Sequence, residues 1–266
     1  QSVSGVGFQP DFLWLKVRST SGSHHLMDAV RGAANFLQSD TTDAEANSPT
    51  LLTSFDSDGF SFGSNNWSDS RSMVGWNWLA GNGTSSNTDG SITSTVSVNQ
   101  KAGFSVVGYT GTGVNSTVGH GLSAKPKVVI IKNRDSSYNW PVYVAEEWDQ
   151  DPSSGLLFLD DAGAGYNDAT YFGTAPTSSV FSVGTAGQVN QSGKNLIAYC
   201  FAEVEGYSKF GSYTGNGSTN GPFVYCGFRP AWVLVKSSTQ AYQWVLHDTA
   251  RDPFNFADNS IFPNSA

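Results

Sequence analysis

Charge is scarce in this 266-residue chain: 14 Lys and Arg and 22 Asp and Glu make up 14% of it, against roughly 25% in an ordinary soluble domain. What charge there is runs acidic, with a net charge of −8. The Lys/Arg patches on which phosphate-backbone affinity rests are absent, which argues against a nucleic-acid partner. The good helix formers Ala, Leu, Glu, Lys, Met and Arg are thin throughout, which argues against a helical protein. No apolar run approaches the roughly 18 residues of a membrane span; Val128-Val129-Ile130-Ile131 is strand-sized. Two cysteines, Cys200 and Cys226, are too few for a disulfide framework. One bridge between them is conceivable, and the simpler reading is two small buried residues on strands. Gln1 opens the chain without an initiator Met, a signal peptide or a charged leader, as in a processed product or a piece of a longer polypeptide.

Polarity comes instead from Ser, Thr, Asn and 29 glycines, while 17 Phe, 10 Tyr and 8 Trp supply large rings to bury. That wealth of aromatics excludes disorder. Aromatic strands punctuated by glycine turns describe an all-β chain, and its length allows two modules or more.

The chain repeats itself. Gly7-Phe8-Gln9-Pro10-Asp11-Phe12-Leu13-Trp14-Leu15-Lys16 returns as residues 121–132 and again as Gly227-Phe228-Arg229-Pro230-Ala231-Trp232-Val233-Leu234-Val235-Lys236. Each time Lys follows Pro by six positions. Copies two and three share one offset of 104, carrying Pro126 to Pro230, Lys132 to Lys236, Trp140 to Trp244 and Tyr109 to Tyr213. Such constancy means duplication without insertion. The first copy aligns more loosely: Leu26-Met27-Asp28-Ala29-Val30-Arg31 matches Leu246-His247-Asp248-Thr249-Ala250-Arg251, whereas copy two reads Val142 to Glu147 and lacks the Asp and the Arg. Val74-Gly75-Trp76-Asn77-Trp78 matches Ile197-Ala198-Tyr199-Cys200-Phe201, and Gly59-Phe60-Ser61-Phe62-Gly63 matches residues 180–184.

These units read as tandem β-sandwich repeats of lectin-like or jelly-roll-like type. The Pro-to-Lys run is continuously apolar, as in a strand covered on both faces, and residues 197–201 alternate large with small, as strands packed on a second sheet do. Residues 1–102 form the first repeat, with an inserted hairpin near 84–98 whose turn is Asn87-Thr88-Asp89-Gly90. Residues 103–208 form the second, and 209–266 a partial third. The repeat begins and ends out of phase with the chain, which suggests either a permuted boundary or a cut from a longer array. Residues 24–36 and 249–257 are weakly helix-like and are expected to be loops or single turns.

The string from Ile197 through Gly217, running into Gly221-Pro222-Phe223-Val224-Tyr225 and Gly227-Phe228-Arg229-Pro230-Ala231-Trp232, resembles a repeat of virion structural and tail-fibre-like proteins of tailed bacteriophages, many from marine hosts. The likeness covers residues 103–251 and, more weakly, the first hundred. It implies a non-enzymatic, lectin-like sandwich in a virion appendage outside the cell. It further implies self-association, a homotrimer being usual for fibres, contacts with other virion proteins, and attachment to host-surface glycan. A capsid decoration or head-fibre protein is one alternative. A secreted carbohydrate-binding module or glucanase-like enzyme is another, from a different class.

Sugar binding needs an exposed aromatic platform flanked by groups that bond hydroxyls. Trp67 in its Ser/Asn/Asp loop, Trp148 in Glu146-Glu147-Trp148-Asp149-Gln150-Asp151, and Tyr166 in Gly165-Tyr166-Asn167-Asp168 are the candidates. The competing reading has these rings cap sandwich ends or bury against the neighbouring module. Trp14, Trp76, Trp78, Trp140, Trp232 and Trp244 fall at repeat-equivalent strand positions and read as core. Glu147, Asp149 and Asp151 would share a face of a strand, but a retaining glycosidase holds its carboxyls about 5–5.5 Å apart, and i, i+4 on a strand spans roughly 13 Å. No catalytic residue and no cofactor is therefore assigned. His24, His25, His120 and His247 are scattered, and Asp56-Ser57-Asp58-Gly59 lacks the rest of a calcium loop, so no metal site is assigned either. The Asp28/Arg31 and Asp248/Arg251 pairs are expected to hold turns as solvent-exposed, individually weak ion pairs.

Overall fold

The structure, a computed structural model, describes residues 1–63, 71–145, 155–254 and 256–266. Within them the regular secondary structure is nearly all strand. The first part holds β1 (Ser2–Ser4), β2 (Phe12–Val17), β3 (His25–Asp28), β4 (Asn35–Phe36), β5 (Ala46–Asn47), β6 (Leu52–Asp56), β7 (Gly59–Phe62) and β8 (Met73–Trp78). There follow β9 (Ser85–Asn87), β10 (Ser94–Asn99), β11 (Phe104–Thr110), β12 (Ser116–Gly119), β13 (Pro126–Asn133), β14 (Pro141–Val144), β15 (Gly155–Phe158), β16 (Tyr166–Asn167) and β17 (Val180–Val183). A single helical turn, α1 (Gly187–Asn190), precedes β18 (Asn195–Ala202), and β19 (Trp232–Val235) and β20 (Val245–Asp248) close the chain. The described residues of the two helix-like stretches form turns and loops as expected, except that the first also holds β3 and β4; neither offers an apolar stripe long enough to offset helix nucleation.

The three Pro-to-Lys runs are β2, β13 and β19. Each pairs antiparallel with the strand that follows it, and the registers share the sequence offsets. Phe12 faces Asp28, Val128 faces Val144 and Trp232 faces Asp248. On the other edge β2 pairs with β8 and β13 with β18, so that Trp14 faces Trp76 and Ile130 faces Tyr199. The largest sheet has the order β16-β15-β14-β13-β18-β11-β10-β9, and the first module contributes β3-β2-β8. The hairpin β9/β10 interrupts the first repeat in sequence, yet it pairs through β10 with β11. It therefore extends the sheet of the second repeat, since β11 offers an open edge there.

Period-2 alternation assigns each central strand to two cores. Phe12 and Trp14 of β2, Ile130 of β13, and Ile197 and Tyr199 of β18 enter one shared cluster that also takes Trp76, Trp140, Trp244 and Leu246, residues from all three repeats. The intervening Leu13 and Leu15 face the small sheet β1-β7-β6 and pack on Phe60 and Phe62. Val129, Ile131, Ala198 and Cys200 face Phe172, Phe181 and Val183 on the opposite side. Both faces are thus covered, which is why these strands read as unbroken apolar runs. Trp14, Trp76, Trp140 and Trp244 are buried, and Trp78 and Trp232 pack half-buried against the same cluster.

Contacts between modules follow one rule. Trp140 of the second module donates its indole N–H to the Gln38 and Thr41 carbonyls of the first, at 3.0 and 3.1 Å. Trp244 of the third donates to the Phe158 carbonyl of the second, at 2.8 Å. His24 holds the corresponding place in the first module, and its neighbour is the Phe262 backbone of the third. Gln38, Phe158 and Phe262 are themselves equivalent, each following a residue that bridges to Leu26, Val142 or Leu246. Lys132 repeats the direction by donating to Thr42 of the first module, and Lys236 by donating to Ala162 of the second. Main-chain N–H groups at His24, Trp140 and Trp244 are held by Asp40, Asp160 and Asn264, at 2.9, 2.8 and 3.0 Å. Residues of all three segments thus meet in one shared cluster. Trp140→Phe removes the donor of two carbonyl contacts while keeping most of the apolar area, so it should cost about 1–2 kcal/mol. Urea unfolding measures this, and an unchanged midpoint would contradict the assigned role.

Candidate functional site

Of the three rings proposed to meet a sugar, Trp67 and Trp148 lie outside the described residues, as do Glu147, Asp149 and Asp151. Tyr166 is described. It sits on β16, the edge strand of the large sheet, opposite Leu156 and 43% exposed. Phe158 lies 6.0 Å from it, centroid to centroid, and Phe158 also packs on Tyr171. Burial pushes the Tyr166 phenol up in pKa, against a hydrogen bond with Tyr171. Next to it the Gly165 N–H donates to the Ser238 carbonyl of the third module, at 2.8 Å. In the first module Glu45 N–H donates to the Arg134 carbonyl of the second at 2.7 Å in the same way. The ring thus stands, partly exposed, beside a main-chain contact between residues 165 and 238.

Asp168 does not extend this platform toward a ligand. One of its oxygens is taken by the Thr170 N–H and hydroxyl, at 2.9 and 2.7 Å. A separate cleft of about 270 Å³ lies beside β12 and β17, walled by the hydroxyls of Ser91, Ser116, Thr117, Thr174 and Ser182. Phe172 in its floor is buried, so the cleft has hydroxyls without an aromatic face. Hydrogen bonds within the wall, such as Thr174 with Ser182 at 2.6 Å, already engage several of them.

The buried ionisable groups are where a reaction centre would be sought. Asp28 and Arg31 are fully buried side chains joined at 2.5 Å, not the exposed pair expected. Asp28 also accepts the Arg31 N–H at 2.9 Å, which holds the turn, and the Tyr199 hydroxyl of the second module at 2.8 Å. Arg31 reaches Glu45 at 2.9 Å, and Arg134 grips the same carboxylate. Burial alone would lower the Arg31 pKa, but Asp28, Tyr199 and Glu45 reverse this and hold it above its ordinary value. In the third module Asp248 and Arg251 pair at 2.6 Å, and Asp248 accepts the indole N–H of Trp76 from the first module at 3.1 Å. Burial opposes ionisation of Asp248, yet Arg251 and Trp76 outweigh it and lower its pKa. Trp76 and Tyr199 are equivalent residues, so both clusters are one corner-to-strand contact used twice. Every charge in them has a partner, and the partners are structural.

Lys132 is completely buried, its ammonium shared by the carbonyls of Thr42, Asn133 and Ser136. Burial pulls its pKa down to about 8, with Asp160 and Asp43 opposing. Among the described residues no three His, Cys, Asp or Glu gather as metal ligands. Asp58 accepts the N–H groups of Gly5 and Gly7, and Asp56 the hydroxyls of Ser54 and Ser61, so Asp56 to Gly59 serves as a turn. Cys200 is buried on β18, whereas Cys226 is half-buried off any strand, and the two are unbridged. The expectation of two strand cysteines therefore holds for Cys200 alone. Sequence reasoning missed the inter-module partners Tyr199, Trp76 and Glu45. The one signal for them was that Trp76 and Tyr199 fall at equivalent positions of the repeated sequence.

Among families of known sequence pattern, a model described as Domain of unknown function (DUF7483) matches residues 1–266. No curated protein and no solved structure matches the chain.

Proposed function

The chain belongs to the DUF7483 family, and we propose that it serves as a structural module of a bacteriophage virion, in a tail fibre or fibre-like appendage, acting in assembly and host-surface attachment without catalysis. The reading is supported by the resemblance of residues 103–251 to phage fibre-like repeats. The observation that carries it is how the buried charges are used. The buried side chains of Arg31, Lys132 and Arg251, with half-buried Lys236, bind carbonyls and carboxylates that hold turns and join segments of the chain. Such chemistry builds a durable scaffold rather than a reaction centre. Its sparsely charged, Ser/Thr/Asn-rich composition suits lateral packing and uncharged glycans, and Tyr166 is the described ring placed to meet one.

Antibody labelling of virions locates the protein. Decoration of fibres is expected, and decoration of the capsid shell would move the assignment to a capsid appendage. For attachment, purified protein should compete with phage adsorption to host cells. Tyr166→Ala removes a ring that packs on Phe158 and bonds Tyr171, so it should cost about 1 kcal/mol of stability, while weakening that competition several-fold. Equal competition by the variant would remove Tyr166 from the contact surface.

A further inference from the structure

The three equivalent contacts between segments differ in one respect, the chemistry of the ring that makes them. At two of them an indole N–H, from Trp140 or Trp244, donates to the carbonyl of Gln38 or Phe158. At the third the equivalent residues are His24 and Phe262, so an imidazole stands where the others have an indole. An indole N–H donates at every pH, whereas an imidazole gains a donor in acid.

The surroundings fix the state His24 can hold. Its Nδ1 accepts the Trp14 indole N–H at 2.9 Å, and because an indole nitrogen only donates, the proton of the imidazole sits on Nε2. Nε2 is sealed from solvent against the Phe262 main chain without a formed hydrogen bond. A second proton would enter at Nδ1 and set donor against donor with Trp14. Lys16 of β2 opposes the added charge, and Asp40, the acid beside it, already accepts the His24 main-chain N–H. His25 points to the other face of β3, against Phe36. Residues 261–264 bring no ionisable side chain. The closed contact therefore excludes an imidazolium.

The segment facing His24 is held lightly. Ile261 exchanges main-chain hydrogen bonds with Leu246 of β20 at 2.8 and 3.0 Å, and Asn264 accepts the Trp244 N–H at 3.0 Å. Toward the first module, buried Ser39 donates to the Pro263 carbonyl at 2.7 Å. We propose that residues 261–264 form an acid-released strap, in which proton uptake by His24 frees them from residues 24–39 while β13 and β18 stay paired. This goes beyond the proposed function and does not depend on it. The closed strap leaves His24 neutral, and the open one gives it an ordinary imidazole that protonates near pH 6.5. Above that pH the closed form keeps its full advantage, and each unit below it raises the open fraction about tenfold.

Hydrogen exchange on the full chain, corrected for the intrinsic pH dependence of amide exchange, tests this. Protection of the Leu246 and Ile261 amides should fall about thirtyfold between pH 7.5 and 5.0. At pH 5.0 they should exchange ahead of β13 and β18 and respond little to low urea, as local opening does. Unchanged protection, or exchange only together with β13 and β18, overturns the proposal. His24→Asn keeps an acceptor for Trp14 but cannot take the proton, so its acid response at Ile261 should vanish. His25→Asn removes the neighbouring imidazole and should keep the full response. Persistence in the first variant, or loss in the second, also overturns it. Should His24→Asn fail to fold, Trp14→Ile with His24→Trp installs the indole of the other two contacts and should likewise show no response.

Discussion

Replacing Arg31 with leucine is expected to cost about 3–5 kcal/mol, the usual penalty for stranding one member of a buried ion pair. Asp28 would remain in the core with the Tyr199 hydroxyl as its sole side-chain donor, while the main-chain N–H of residue 31 would still hold the turn. Glu45 would keep Arg134. The sequence itself contains the alternative solution, because the second module has Val144 where the others have aspartate, and it packs that residue on the shared core. Asp28→Val together with Arg31→Leu should therefore cost less than Arg31→Leu alone, since no charge is stranded. Urea unfolding of the two single variants and the double variant gives the coupling energy directly. Strictly additive losses would mean that the pair does not act as a unit. Arg251→Leu should lose less than Arg31→Leu. Solvent lies nearer Arg251, and the Trp76 indole still satisfies an oxygen of Asp248.

These two corners show what can and cannot be read from one chain. Offsets of residues located the central strands and their partners, because strand pairing within a repeat repeats with it. They located the tryptophans as core for the same reason. What offsets do not carry is which module touches which. The Asp/Arg pairs look like surface ion pairs in sequence, and only the neighbouring repeat, delivering Tyr199 to one and Trp76 to the other, makes them interior. Likewise the hairpin β9/β10 sits in the first repeat by position but joins the second by hydrogen bonding, since edge pairing is decided in space. For the candidate site, the Gly/Asn/Asp setting of Tyr166 correctly marked an exposed ring. Its seam with the third module came from main-chain contacts that no side-chain pattern encodes. The buried lysines add no demand for acids, because Lys16 and Lys132 bind main-chain carbonyls, whereas Arg31 and Arg251 take Asp28, Glu45 and Asp248.

Acid should destabilise the protein through the first module. His24 is completely buried, and burial, with Lys16 adding to it, pulls its pKa down to about 3; His25 falls to about 4 for the same leading reason. Both rings are neutral when folded, while an unfolded histidine takes up a proton near pH 6.5. Between about pH 6.5 and 3 the unfolded chain thus binds more protons, and stability falls as pH falls. For His24 the slope is about 1.4 kcal/mol per pH unit, so a drop from pH 6.5 to 5 removes about 2 kcal/mol and about 4–8 °C of melting temperature. Asp11 and Asp160, whose pKa values burial raises, act in the opposite sense and flatten the lower end of the window. The repeat offers a control. His24 accepts the Trp14 indole N–H at 2.9 Å, whereas the other modules place Ile130 or Leu234 at the Trp14 position and Trp140 or Trp244 at the His24 position. A large ring and a smaller side chain have exchanged places. His24→Trp alone should overpack the site and cost about 1–3 kcal/mol. Trp14→Ile with His24→Trp should fold, direct the new indole toward the Phe262 carbonyl, and lose the part of the acid sensitivity that His24 carries. Thermal melts at pH 7.5 and 5.0 decide the matter. If the double variant melts with the same pH dependence as the parent, the sensitivity does not arise at His24.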